Sequence, residues 1–422
     1  MPKKSAARPG PAQLSQGAGE ALRARLIREV ADDLAVDALP RDRAGKPPFD
    51  EAARLREAGL PALLTPPGPD GRGTDWRTAC AVVREIAAAD GSIGELLGRH
   101  YALSWSARFF AAPERADRLE RRAVAEQWLW GGSTDLPGAG PAAEPGLALT
   151  PAGGGYLLDG RAALAAGVQL SDRLVLGGVD TATGDWLMVC LDPERPGVTA
   201  DAAHDRLGQR LTGAGTLTFD GVPVLVDEVL GTVPRDEHSV PPYATLAPLA
   251  LRLALVHVAL GTAEGALAEA RDADRAAPGR LPGTPPDDDA YGDAYADRTG
   301  GDPYLLLAYG ELVTAAHTAA VVVESATEAL ARGLAAGGGF GVDERAEIAV
   351  RVAAAEAVTG RAAMRITARV LELTGGAADS LGLDRFWRNA RVLTAQASPA
   401  HRLRDIGDHY LNGTHPPLTL RA

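Results

Sequence analysis

The chain has 422 residues, 43 Lys+Arg against 55 Asp+Glu and a formal net charge of -12; it is 46% hydrophobic and 5% aromatic. The length exceeds one ordinary core, and the apolar share is too high for a disordered chain. The acidic balance argues against a nucleic-acid groove, and two distant cysteines, Cys80 and Cys190, argue against a disulfide scaffold or a zinc site.

Lysine is confined to Lys3, Lys4 and Lys46, so arginine carries the positive charge, and alanine is abundant, a codon bias of GC-rich bacteria. The basic first residues are followed by no apolar segment, so they do not read as a secretory signal. The most apolar stretch, Leu246–Leu260, is interrupted by Arg252 and His257 and reads as a buried helix instead of a membrane span. A soluble cytoplasmic protein is the expectation.

Residues 1–16 read as a flexible arm, and 17–127 as a helical domain. Leu22, Leu26 and Val30 recur every four residues; Thr78–Ala89 and Ile93–Phe110 are Ala-rich helical runs. Asp90-Gly91-Ser92 looks like a helix-ending glycine followed by an N-cap serine. Residues 66–71, rich in Pro and Gly, read as a loop.

Between 128 and 235 the pattern becomes short apolar runs divided by Gly and Asp turns. Leu147–Leu149 and Tyr156–Leu158 form one pair, Arg173–Leu176 and Trp186–Leu191 another, and Thr216–Phe219 runs into an Asp220-Gly221 turn. This spacing predicts an antiparallel sheet. Residues 236–422 are helical again, with helices expected over Leu246–Arg275, Pro303–Gly333, Asp343–Thr374 and Pro399–Leu411. Ile348, Val352, Ala355, Ala362, Ile366, Val370 and Leu373 make one buried stripe. Residues 277–302 read as a long loop. The fold class is α+β, a β domain between two helical ones.

No phosphate loop, dinucleotide fingerprint, HExxH or GxSxG motif occurs. His100 lies in a helical run beside Arg99, Tyr101 and Trp105; it is either a buried helix residue or a general acid or base. His401 with Asp405 reads as a surface pair one helical turn apart. Arg385-Phe386-Trp387-Arg388-Asn389-Ala390-Arg391 is either an anion-binding or subunit-contact segment, or a solvated face over two core rings. The polar turn Gly208–Thr216 offers backbone N–H groups to a ligand or is simply a tight turn.

The stretch Leu207–Leu230 (LGQRLTGAGTLTFDGVPVLVDEVL) resembles a strand of the acyl-CoA dehydrogenase superfamily, in its flavin-dependent monooxygenase branch. Further matches are Asp302-Pro303-Tyr304 with Tyr309–Leu312, and Leu371–Arg391, whose RFWRNAR end is the most specific. Ile406-Gly407-Asp408 with Leu411-Asn412-Gly413, and Ala89–Ser92 with Leu96–His100, complete the set. The likeness spans residues 20–415. It implies an N-terminal helical domain, a middle antiparallel β domain and a C-terminal helical bundle. It also implies a homotetramer or homodimer whose active site lies between the β domain and the C-terminal helices. FMN or FAD, reduced by a separate flavin reductase, would react with O2 to oxidise a small-molecule substrate.

On this resemblance Ser133, Gln209, Thr212 and Gly213 would border the flavin ring, and Arg388 and Arg391 would support its phosphate side. His100 and Gln396 would stand at the reacting centre, with Tyr101, Trp105, Phe109 and Leu393 around the substrate. Several positions depart from the branch. Two histidines that usually follow RFWRNAR are replaced by Leu393 and Gln396. A hydroxyl-bearing strand end has become Leu164-Ala165-Ala166-Gly167. Thr374-Gly375-Gly376-Ala377 and Arg275–Arg280 lack arginines common there. No Glu stands where an acyl-CoA dehydrogenase needs its base. Either the flavin is held differently, or it was lost and the fold now serves as a cyclase or dehydratase; a non-catalytic homologue is a third reading.

Overall fold

The structure is a computed structural model that describes residues 11–65, 73–134, 146–234, 239–276, 303–375, 378–395 and 399–417. The expected loops at 66–71 and 277–302, and Gln396, lie outside the described residues.

Seven helices come first: α1 (Pro11–Val36), α2 (Ala38–Ala44), α3 (Phe49–Glu57), α4 (Trp76–Ala89), α5 (Gly91–Ser104), α6 (Ser106–Phe110) and α7 (Pro113–Glu126). α1 opens at Pro11, inside the stretch read as an arm. Its buried face is Ile27, Ala31 and Leu34, whereas Leu22 is 70% exposed. The four-residue spacing marks the helix, but of Leu22, Leu26 and Val30 only Val30 packs against the core. Asp75 caps α4 by accepting from the Thr78 N–H, and Asp90 caps α5 by accepting from those of Ser92 and Ile93. The cap is thus Asp90, not Ser92, and Gly91 is inside the helix.

Eight strands follow: β1 (Trp130–Ser133), β2 (Leu147–Ala152), β3 (Gly155–Leu164), β4 (Arg173–Asp180), β5 (Trp186–Leu191), β6 (Val198–Ala202), β7 (Gly215–Val224) and β8 (Val229–Val233). They form one sheet in the order β6-β7-β3-β2-β4-β5-β8, with β1 beside β4. The sheet is mixed, because β1 and β2 both pair with β4 in parallel. Hairpin signals alone could not reveal those pairings, which join strands distant in sequence. Side chains alternate between two buried faces: Leu174, Leu176, Val189 and Leu191 pack on one, Val175, Met188 and Cys190 on the other. Asp220-Gly221 is not a turn. β7 runs through it as a bulge, with Leu158 opposite Val222 and Gly160 opposite Phe219.

The C-terminal part contains α8 (Leu246–Ala276), α9 (Pro303–Ala336), α10 (Val342–Thr374), α11 (Ala378–Leu381), α12 (Asp384–Ala395) and α13 (Pro399–Asn412). Six of the seven stripe residues of α10 are buried, and Leu373 is half-buried. α8 and α9 are each long and apolar enough to cross a membrane by composition. The most apolar window of α8 is 89% buried in the fold, and that of α9 only 28%.

One contact fastens the β part to the helices. A Cβ on Gly208 would lie 2.3 Å from the Arg388 carbonyl oxygen, so the turn touches α12 backbone to backbone. The next residue, Gln209, donates its N–H to Asn389 Oδ1 at 2.7 Å. Arg388 reaches back with one nitrogen to the Leu207 carbonyl (3.0 Å) and pairs with Asp384 and Asp42. Gly208→Ala should therefore destabilise the fold by about 1–3 kcal/mol, as overpacking does. A lower urea midpoint with unchanged slope checks it.

Candidate functional site

A cavity of about 660 Å³ opens where the sheet meets the helices, within the roughly 300–1,000 Å³ common for small-molecule sites. Gly132 and Ser133 at the end of β1, and Ala163 and Ala165 around the end of β3, form its sheet wall. Small residues here are a packing requirement in one case. Gly132 has φ +126, and a Cβ would stand 1.9 Å from the Val175 carbonyl oxygen. Helix α8 contributes Leu251, Arg252, Leu255, Val256 and Ala259. α10 contributes Glu356, Thr359, Gly360, Arg361 and Met364, α12 contributes Arg391, Leu393 and Thr394, and α13 contributes Arg402. These positions recur at spacings of three or four, which is how a helix presents one face.

The charged groups divide into two sets. Arg361 and Arg391 are exposed, and neither guanidinium makes an ion pair or hydrogen bond among the described residues. At the inner end Glu356 receives both Nε (2.7 Å) and a terminal nitrogen of Arg252, and Arg402 Nε lies 3.1 Å from it. Arg99, also on the wall, pairs with the buried Glu95 at 2.7 Å. Arg252 was visible in the sequence as the break in an apolar run; Glu356, between two alanines of a buried helix, carried no such signal. It is a carboxylate in the cavity that the sequence reading missed. Its two oxygens bind Arg252, so its evident work is to hold that side chain.

Of the residues assigned from sequence, Ser133, Arg391 and Leu393 line the cavity. Gln209, Thr212 and Gly213 do not line it. The Thr212 and Gly213 carbonyls accept from the Gly167 and Val168 N–H groups, two and three residues past Ala165. The Gln209 side chain is fully buried, and neither amide atom finds a partner among the described residues. Arg388 is committed to Asp42, Asp384 and the Leu207 carbonyl, so it serves the turn contact and not an anion. Gln396 lies outside the described residues.

His100 is placed differently from the expectation. It is 1% exposed and does not line the cavity. The Trp130 N–H donates to its Nδ1 at 3.0 Å, which leaves Nε2 as the protonated nitrogen, donating to the Pro61 carbonyl at 2.8 Å. Both ring nitrogens are therefore spent on backbone. Tyr101 donates to the Leu60 carbonyl, Trp105 packs edge-on to Trp76, and Phe109 lies against Tyr243. None of these lines the cavity; they fasten α5 and α6 to the N-terminal core. His401 is exposed, and Asp405 lies 3.6 Å from Arg404. Among the described residues no cluster of His, Cys, Asp and Glu could hold a metal ion.

Comparison with known proteins agrees with this geometry. Residues 18–120 match the family model for the acyl-CoA dehydrogenase N-terminal domain. A dibenzothiophene monooxygenase from Rhodococcus qingshengii is 32% identical over 406 residues, 93% of each chain. The chain belongs to the dibenzothiophene monooxygenase family. These are flavin-dependent monooxygenases on an acyl-CoA dehydrogenase fold. A probable FMNH2-dependent monooxygenase, SfnC of Pseudomonas putida, is 29% identical over 93% of this chain and 95% of its own. The crystal structure of TdsC from Paenibacillus sp. A11-2 with FMN and indole superposes with a TM-score of 0.85. It is 29% identical and covers 95% of this chain and 99% of that one. Of the readings left open by sequence, family membership carries the flavin-dependent one.

Burial lowers the His100 pKa to about 4, with the Pro61 hydrogen bond opposing it in part. The unfolded chain then binds a proton from about pH 6.5 downward that the native ring refuses until about pH 4. Stability from His100 is thus complete above pH 6.5 and is lost as pH falls towards 4, by about 3 kcal/mol at ~1.4 kcal/mol per unit. His257, likewise buried and lowered to about 3, adds to the same slope. Urea midpoints between pH 7 and 4 should fall steeply in the native protein and less steeply in His100→Gln.

Proposed function

We propose that the chain is an FMN-dependent, two-component monooxygenase that oxidises a small, largely apolar metabolite in this cavity. The observation that carries the reading is the cavity itself, a small-residue sheet wall facing apolar helices under a rim of unpaired guanidinia. A flat tricyclic ring needs such a wall, and a ribityl phosphate needs such a rim. TdsC was solved with FMN, and the Pseudomonas relative is described as FMNH2-dependent; both support FMN over FAD.

Bound reduced FMN, supplied by a flavin reductase, would react with O2 to place one oxygen atom on the substrate and send the other to water. The chain's own part is binding and enclosure. Gly132, Ser133, Ala163 and Ala165 would carry the ring, and Arg361 and Arg391 its phosphate. Leu255, Val256, Ala259, Met364 and Leu393 would keep water from the reacting atoms. Leu393 stands where the family resemblance placed a histidine, and no described wall residue is a histidine, cysteine or tyrosine. The cavity thus works by position and dryness more than by proton transfer from side chains.

The protein would be a soluble cytoplasmic homo-oligomer. Helix α9 buries Leu312, Ala316, Val323 and Leu330 inward, yet Leu306, Val313 and Val321 remain 54–61% exposed at spacings of seven and eight on its outer face. A second copy of the chain fits that face. Sedimentation velocity should show an oligomer that Leu306→Glu with Val313→Glu dissociates.

Fluorescence titration tests the flavin reading. The protein should bind FMN more tightly than riboflavin, and Arg391→Ala should weaken FMN roughly tenfold or more while sparing riboflavin, the value of one charged hydrogen bond. A protein that binds neither flavin, oxidised or reduced, overturns the reading.

A further inference from the structure

The part of the cavity wall around Glu356 carries two guanidinia, Arg252 and Arg402, against one wall carboxylate. Contacts of Thr245 with Arg345 and of Arg252 with Glu356 align α8 and α10 in the same direction. Residues 252 and 356 therefore form one layer, with Leu255, Val256 and Gly360 in the next and Ala259 and Met364 beyond. Into the first layer α13 sends Arg402. Two guanidinia, Arg252 and Arg402, share Glu356, with Asp405 beside Arg402 and 3.6 Å from Arg404; Arg345 lies off the cavity wall and acts on this pair only as a further positive charge near Arg252. Arg345 is 2% exposed and has no acidic partner among the described residues, donating instead to Thr245 Oγ1 and the Pro416 carbonyl. Burial, and then the neighbouring Arg252, lower the Arg345 pKa to about 10, and the same two causes lower that of Arg402. The terminal nitrogens of Arg402 make no hydrogen bond among the described residues, and its Nε lacks hydrogen-bond geometry to Glu356.

Buried charge without a counter-charge is costly, and the cost falls when an anion completes the set. The rim arginines differ, because water screens them. We propose that the substrate is an amphiphilic acid. Its anionic group, a carboxylate or an equivalent oxyanion, docks on Arg252 and Arg402, and its apolar body extends along Leu255, Val256 and Ala259 towards Met364 and Leu393. This rests on the reading of the cavity as the site of flavin-dependent oxidation. Glu356 is then a positioning residue: it aims Arg252 while leaving the set cationic.

Calorimetric titration of the FMN-saturated protein with 2-naphthoate and 2-naphthamide, equal in shape and different in charge, tests the proposal. Naphthoate should bind at least tenfold more tightly. Arg402→Met should bring the two within about threefold, and Arg402→Lys should restore most of the difference. Glu356→Gln, which keeps the shape but breaks the two-point pair that aims Arg252, should weaken naphthoate binding and leave naphthamide binding unchanged, whereas a merely structural role weakens both. Equal affinities in the native protein, or a preference that survives Arg402→Met, overturn the proposal. So does an Arg402→Met protein that loses FMN but not riboflavin, since the anion would then be the flavin phosphate. If no flavin binds, the functional reading fails separately, and the two naphthyl probes, run on the flavin-free protein, still decide the acid site.

Discussion

The site depends on the contact between the Gly208–Gln209 turn and the Arg388–Asn389 backbone of α12. Without a side chain on Gly208, two pieces of backbone meet, and Asn389 closes the contact with a hydrogen bond. The turn in turn holds the segment after β3 through the Thr212 and Gly213 carbonyls. One end of this chain of contacts sets Ala165 on the sheet wall; the other sets Arg391 and Leu393 opposite. The width of the cavity is therefore decided by a backbone contact outside it. That explains why the arginine-rich segment of α12 is so distinctive while contributing little chemistry. Arg385 bonds the Gly382 carbonyl and Glu269, and Arg388 holds Asp42. Only Arg391 at its end faces the cavity.

Charge in the cavity falls into two sets of different exposure: Arg361 and Arg391 are exposed, and Arg252, Glu356 and Arg402 are partly buried. Exposed guanidinia at the mouth suit a phosphate that must come and go with each turnover, since screened contacts are weak. The set around Glu356 is partly buried, where the same charges act more strongly than at the exposed arginines. Between them lies an apolar band.

Much of the architecture was legible in the chain. The stripe of α10 and the four long C-terminal helices followed from apolar spacing, and the hairpins from Gly and Asp turns. The failures have physical reasons. Leu22 and Ile27 head competing stripes on α1, and composition could not say which one the core would meet. Asp220-Gly221 reads as a turn, yet the Asp159 carboxylate accepts from the Gly221 N–H and keeps β7 continuous through a bulge. The parallel pairing of β4 leaves no local mark. At the site, Ser133, Arg391 and Leu393 line the cavity; Arg391 ends the RFWRNAR segment and Leu393 follows it, whereas no quoted motif surrounds Ser133. His100 was misassigned because a histidine on an apolar helix looks the same whether it faces a ligand or, as here, the backbone at Trp130 and Pro61. Glu356 and Arg402 were missed because their meaning lies in a pairing between helices far apart in sequence.

The central claim is that flavin and substrate share the cavity between the sheet wall and α8, α10 and α12. A crystal structure of the protein soaked with FMN tests it most directly. The account predicts a flavin ring against Gly132, Ser133, Ala163 and Ala165 with its phosphate at Arg361 and Arg391, leaving the Arg252–Arg402 end open. Flavin bound elsewhere on the chain with this cavity closed, or a ring lying against His100 with the Trp130 hydrogen bond broken, would contradict it.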